Sequence, residues 1–140
     1  MNGTFECPIC LQCSPHNHDI VNGWIGVDLD GTLAMQAHQT PYEIGAPVPE
    51  MVARVRGWLA HGYNVRILTS RLTPSAASPR DVDTVKAAIE GWCLLHLGQA
   101  IPVTNIKDHV LLAILDDRAV HVTRDTGVPN AKVSEGENGK

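Results

Sequence analysis

The chain predicts an α/β fold: a mostly parallel sheet with helices on both faces, arranged as a Rossmann-like three-layer sandwich. Three observations predict it. Short apolar runs alternate with amphipathic, helix-period segments; Gly and Pro punctuate the joins; and acidic residues gather where the apolar runs end.

The first run, Trp24-Ile25-Gly26-Val27-Asp28, reads as a buried strand, and Asp30-Gly31-Thr32-Leu33 as the turn that follows it. From there to Pro49 the prolines and Gly45 are too frequent for a helix, so a loop or short hairpin is expected. Pro49 suits a first helical position, and Met51, Val55, Trp58 and Leu59 then share one face until Gly62. Asn64 to Thr69 forms a second strand. After a Pro-containing loop, Ser78, Pro79 and Asp81 predict a helix start, with Val85, Ile89, Trp92 and Cys93 on one face and Gly98 as the stop. Two further runs, Ile101 to Ile106 and Val110 to Leu115, are expected as buried strands, and Ala119 to Val122 as a short edge strand. Three segments result: a Cys/His-rich stretch 1–22, a core 23–126 and a polar, frayed tail 127–140.

Composition narrows the function. With 140 residues and 44% apolar side chains the chain can build one ordinary core. The net charge is −4, and no Lys or Arg precedes Arg54, whereas Glu6, Asp19, Asp28, Asp30, Glu43 and Glu50 do. An acidic first third argues against a basic arm on nucleic acid and against a secretory or transit peptide. No apolar run approaches the roughly 18 residues of a membrane span. The expectation is a soluble, cytoplasmic protein, with long nucleic acid disfavoured.

In such a sheet, ligands bind at the carboxyl ends of the strands. Asp28 closes the first strand, Asp30 follows two residues on, and Asp116-Asp117 follow Leu111 to Leu115. Carboxylates clustered in a crevice repel one another, and a hard, oxygen-seeking cation such as Mg²⁺ relieves that repulsion. The plainer reading of each pair alone is an acidic turn or a solvated strand end; their coincidence at two strand ends favours a site.

These features resemble the haloacid dehalogenase superfamily, whose phosphatases carry a strand followed by DxDGT, a strand ending in Thr or Ser, a Lys, and a strand ending in an acidic pair. The matching residues are Asp28-Leu29-Asp30-Gly31-Thr32, Val65 to Thr69, Lys107 and Asp116-Asp117, covering about residues 24 to 122. The resemblance implies that Asp28 attacks phosphorus to form an aspartyl-phosphate and that Asp30 acts as general acid and base. It implies Mg²⁺ held by Asp28, the main-chain carbonyl of Asp30, and Asp116 or Asp117. Thr69, with Ser70, would hold a phosphoryl oxygen, and Lys107 would neutralise phosphate and nucleophile; the alternatives are a strand-end cap and a solvated lysine. Family dehalogenases lack an acid at the position of Asp30, so phosphoryl chemistry is favoured.

Larger relatives insert a cap domain. Here the intervals are mostly used by core helices, so an open site follows unless a neighbouring subunit covers it. The substrate class is then a nucleotide, a sugar phosphate or a phosphorylated nucleic-acid end, with a nucleotide-like phosphomonoester preferred. Arg71 is the first candidate for a substrate contact, against a surface salt bridge; Arg118 and His38 are weaker candidates. Two rival readings are a zinc-bearing binding module on a hydrolase-like scaffold and a phosphotransferase of the same fold.

The run Cys7-x-x-Cys10-x-x-Cys13-x-x-His16-x-His18 offers five ligands within a dozen residues. Three cysteines with His16 or His18 would close a structural Zn²⁺ site; reduced free thiols and a redox pair are the alternatives. Cys93 is expected as an inert core residue.

Overall fold

The computed structural model of the chain describes residues 6–11, 22–36 and 40–130. Its centre is a parallel sheet of β1 (Trp24–Val27), β2 (Val65–Leu68), β3 (Val103–Thr104) and β4 (Leu111–Leu115), in the order β3-β2-β1-β4. Helix α1 (Pro49–Ala60) joins β1 to β2, and α2 (Val82–Leu97) joins β2 to β3. A separate antiparallel ribbon pairs β5 (Val122–Thr123) with β6 (Val128–Pro129). The α/β class and the parallel sheet thus agree with the expectation. No helix among the described residues is long and apolar enough to cross a membrane.

Register explains the core. Ile25 pairs with Val65, and Val27 with Ile67, which pairs in turn with Val103, so these five side chains share one face. On that face they join Val55 and Trp58 of α1 and Val85, Ile89 and Cys93 of α2 in a single cluster. The chain moves in one direction from β1 through β2 to β3, and right-handed crossovers then place both helices on the same side. α1 and α2 accordingly pack against each other.

The second face differs from the expectation of three layers. β4 lies on the far side of β1, and the connection from β3, residues 105–110, contains no helix. Among the described residues nothing helical covers that face. Leu112 and Ile114, predicted as buried, are 41% and 40% exposed, while Ala113 and Leu115 turn toward the core. Trp24 is sheltered on this side by the Arg66 guanidinium, 4.5 Å from its ring centroid, and its indole N–H donates to Asp108 at 2.9 Å. Asp108 thereby ties the β3–β4 connection to β1.

Local differences have identifiable causes. The segment after β1, expected as a loop or short hairpin, is drawn together in its described residues by an isolated bridge of Ala34 to Pro47, with Met35 N–H donating to the Ala46 carbonyl and Val48 N–H to that of Leu33. α2 begins at Val82 rather than at Ser78-Pro79, because Ser78 closes a turn with Ser75 and its hydroxyl accepts from Arg80. Gly98 ends α2 at φ 85°, a left-handed conformation open to glycine. β3 is confined to two residues, and the expected edge strand is instead the β5–β6 ribbon, which carries order through Pro129. Cys93 is a core thiol as expected, pushed up to about 12 by burial and, secondarily, by Glu90.

Candidate functional site

Asp28 leaves β1 with its N–H donating to the Leu115 carbonyl at 2.9 Å, so the sheet itself sets the ends of β1 and β4 side by side. These adjacent ends lie where the topology diverges, with α1 carrying the chain one way and β4 arriving from the other, which is where open α/β sheets bind ligands. Oxygens of Asp28, Asp116 and Asp117 all lie within 4.8 Å of one another.

Two residues of the turn after β1 hold this arrangement. Thr32 is buried, and its hydroxyl accepts from the Asp117 N–H at 3.0 Å while lying 3.4 Å from Asp28 Oδ2 and 3.3 Å from Asp117 Oδ1. Its single proton thus serves two carboxylates. Gly31 adopts φ 89°, and a Cβ there would meet Asp117 Oδ2 at 2.5 Å. Glycine is required twice over, by conformation and by the closeness of the carboxylate.

The electrostatics follow from the crowding. Burial first, then the charge of Asp116, then the hydrogen bond and charge of Asp117 push Asp28 up from 3.8 to about 7; the Leu29 amide opposes this only in part. A divalent cation among the three carboxylates would reverse the repulsion. The donor set is all oxygen, as Mg²⁺ prefers.

Asp30 has a different environment. Both its oxygens accept from Arg71, Oδ2 from Nε at 2.8 Å and Oδ1 from Nη2 at 2.7 Å. Asp30 therefore adds no side-chain oxygen to the triad. Arg71 Nη1 donates to the carbonyls of Pro41 and Glu43, so four of the five guanidinium donors are engaged. At 4% exposure and paired with Asp30, Arg71 is not a surface salt bridge, and it lines the same cavity as Asp28 and Asp30. It is an internal strut that aligns Asp30 and ties it to the 41–43 segment.

Thr69 directly follows β2 and is buried; its Oγ1 accepts from the Arg71 N–H at 3.1 Å, which caps the 3-10 turn Ser70–Leu72. The cap uses an acceptor position and leaves the hydroxyl proton for a ligand. Thr69, exposed Ser70, Asp28, Asp30 and Asp116 line one cavity of about 990 Å³, together with Lys107, Arg80 and Arg118. Lys107 is exposed on the β3–β4 connection and makes no ion pair with Asp28 or with any other described residue. It lines the cavity without pairing with Asp28. Arg118 N–H donates to Asp116 Oδ1 at 2.7 Å, shaping the acidic turn.

Reasoning from sequence missed Thr32 as the link between the two acidic strand ends, though it stands within the Asp30-Gly31-Thr32 turn. It also missed Arg80 on the cavity wall, whose Nη1 donates to the Arg71 carbonyl at 2.9 Å. A lone arginine in a polar loop offers no pattern to find. His38, Cys13, His16 and His18 lie outside the described residues, whereas Cys7 and Cys10 lie within them. No family model, curated protein or solved structure matches the chain.

Proposed function

We propose that this chain is a Mg²⁺-dependent phosphohydrolase of the haloacid dehalogenase type, acting on a phosphomonoester through Asp28. The observation that carries the proposal is the convergence of the Asp28, Asp116 and Asp117 oxygens within 4.8 Å, at the ends of two adjacent parallel strands. Asp30 and Thr69 open onto the same cavity.

The roles are those the resemblance implies, assigned to the residues that meet at the cavity. An Asp28 oxygen attacks phosphorus in line with the leaving oxygen and forms an aspartyl-phosphate. Asp28, Asp116 and Asp117 would hold Mg²⁺, which supplies charge neutralisation for the transferring phosphoryl group. The Thr69 hydroxyl donates to a phosphoryl oxygen, and Lys107, which lines the cavity, draws the anion in. Asp30 would protonate the leaving oxygen and then take a proton from water. Both its oxygens accept from Arg71, so to act as acid it must first exchange one guanidinium contact for a proton from solvent. With no cap domain among the described residues and Arg80, Lys107 and Arg118 on the cavity walls, a nucleotide-like phosphomonoester or a phosphorylated nucleic-acid end suits it best.

The test is phosphate release from an aryl phosphate and from a panel of nucleotides, sugar phosphates and phosphorylated oligonucleotide ends, with and without Mg²⁺. Mg²⁺-dependent release that disappears in Asp28→Asn supports the proposal. Equal rates for both proteins, or none across the panel, would reject it.

A further inference from the structure

We propose that Cys7 and Cys10 form half of a thiolate site for a borderline-soft divalent metal, zinc above all, held against Arg54 and Trp58 of α1 and independent of the carboxylate site. The sequence supplies the two cysteines at CxxC spacing, with a proline between them.

The turn they occupy is wound around one sulfur. Cys7 Sγ accepts from the Ile9 N–H at 3.2 Å and from the Cys10 N–H at 3.4 Å. The Leu11 N–H closes the turn onto the Cys7 carbonyl at 2.7 Å, and Leu11 takes a φ of 61°, left-handed without being glycine. A neutral thiol is a weak acceptor and gives little reason to gather two backbone donors at such a conformational cost. A thiolate bound to a cation gives that reason, since the amide dipoles then face concentrated negative charge and settle the sulfur's second shell.

The turn is also held in place before any metal arrives. The Glu6 carbonyl accepts from the Trp58 indole N–H at 2.6 Å, the Glu6 carboxylate pairs with Arg54 at 2.6 Å, and Ile9 packs against the core. Cys7 is fully buried beneath this anchor and Cys10 partly so, and neither is in a disulfide. An anchored pair of ligands lowers the ordering cost of binding. Donor chemistry separates the two metals: sulfur selects zinc here, and the all-oxygen triad selects magnesium. Binding releases the thiol protons, and the metal would fasten the N-terminal segment to α1.

The experiment uses the full chain, purified under reducing conditions without chelator. Elemental analysis is run on the wild type, Cys7→Ser, Cys10→Ser and Asp117→Asn, and cobalt is loaded into metal-stripped wild type. About one zinc per chain in wild type and Asp117→Asn, a fall to about a tenth or less in each Cys variant, and a thiolate-to-cobalt charge-transfer band are expected. The cobalt band reads the wild type alone, so a Cys variant that fails to fold does not blunt the test. Zinc well below one equivalent with no cobalt–thiolate band, zinc retained by both Cys variants, or a Cys7–Cys10 disulfide in the metal-free protein would overturn the proposal.

Discussion

Replacing Gly31 by alanine probes the carboxylate site without removing any of its ligands. At φ 89° an alanine costs about 1–2 kcal/mol from its backbone conformation alone. The new Cβ would stand 2.5 Å from Asp117 Oδ2 and 2.9 Å from its Cγ. Ordinary contact requires the carboxylate to withdraw by roughly 1 Å. Magnesium demands near-octahedral oxygens at about 2.0–2.1 Å, so a displacement of that size takes Asp117 out of reach or tilts the whole set. The expected outcome is a loss of Mg²⁺ affinity of about 10–100-fold, alongside the modest loss of stability. The assay is a Mg²⁺ titration read by thermal shift and by phosphate release, with urea denaturation of the metal-free protein measuring the backbone cost separately. A variant that is destabilised as expected, yet binds Mg²⁺ within about twofold of wild type, would refute the placement of Asp117 in the metal site.

Three more outcomes follow from the same geometry. Arg71→Ala strands the Asp30 carboxylate and two backbone carbonyls and should cost about 3–5 kcal/mol, with Arg71→Lys only partly restoring it because an ammonium cannot pair both oxygens in one plane; urea denaturation reads this, and a loss below about 1 kcal/mol would count against the strut. In the metal-free protein Asp28 keeps its proton to about pH 7, against 3.8 unfolded, so the folded state binds the extra proton and stability falls as pH rises from about 4 to 7. Mg²⁺ should therefore raise the melting temperature more at pH 7.5 than at pH 5; the opposite order would contradict the assignment of the cause. Thr32→Val keeps the shape but removes the hydroxyl between Asp28 and Asp117, and a fall in Mg²⁺ affinity of about tenfold or more is expected by isothermal titration, whereas unchanged affinity would show the bridge to be incidental.

The parts legible in the sequence were those set by local pattern. β1 and α1 were readable because apolar period and Pro49 agree, and the acidic strand ends because parallel strands deliver their last residues to one edge. What stayed hidden depends on distant partners. Arg71 stood out because it directly follows the second strand's end, but local sequence does not show that its ion-pair partner is Asp30, on another strand's turn. The run Leu111 to Leu115 looked buried because apolar content alone does not reveal which face lacks a helix, and that is decided by β4 crossing to the far side of β1. The start of α2 was misplaced because Ser78, a sound helix cap by type, bonds instead within its own turn and to Arg80.

The most direct measurement is to trap the covalent intermediate. Wild type and Asp28→Asn are turned over with a phosphomonoester and Mg²⁺, quenched in acid, and mapped by peptide mass spectrometry alongside phosphate release. The account predicts a phosphoryl group on Asp28 in wild type, and neither adduct nor release in Asp28→Asn. Sustained Mg²⁺-dependent phosphate release by Asp28→Asn, or an adduct on another residue, would contradict it.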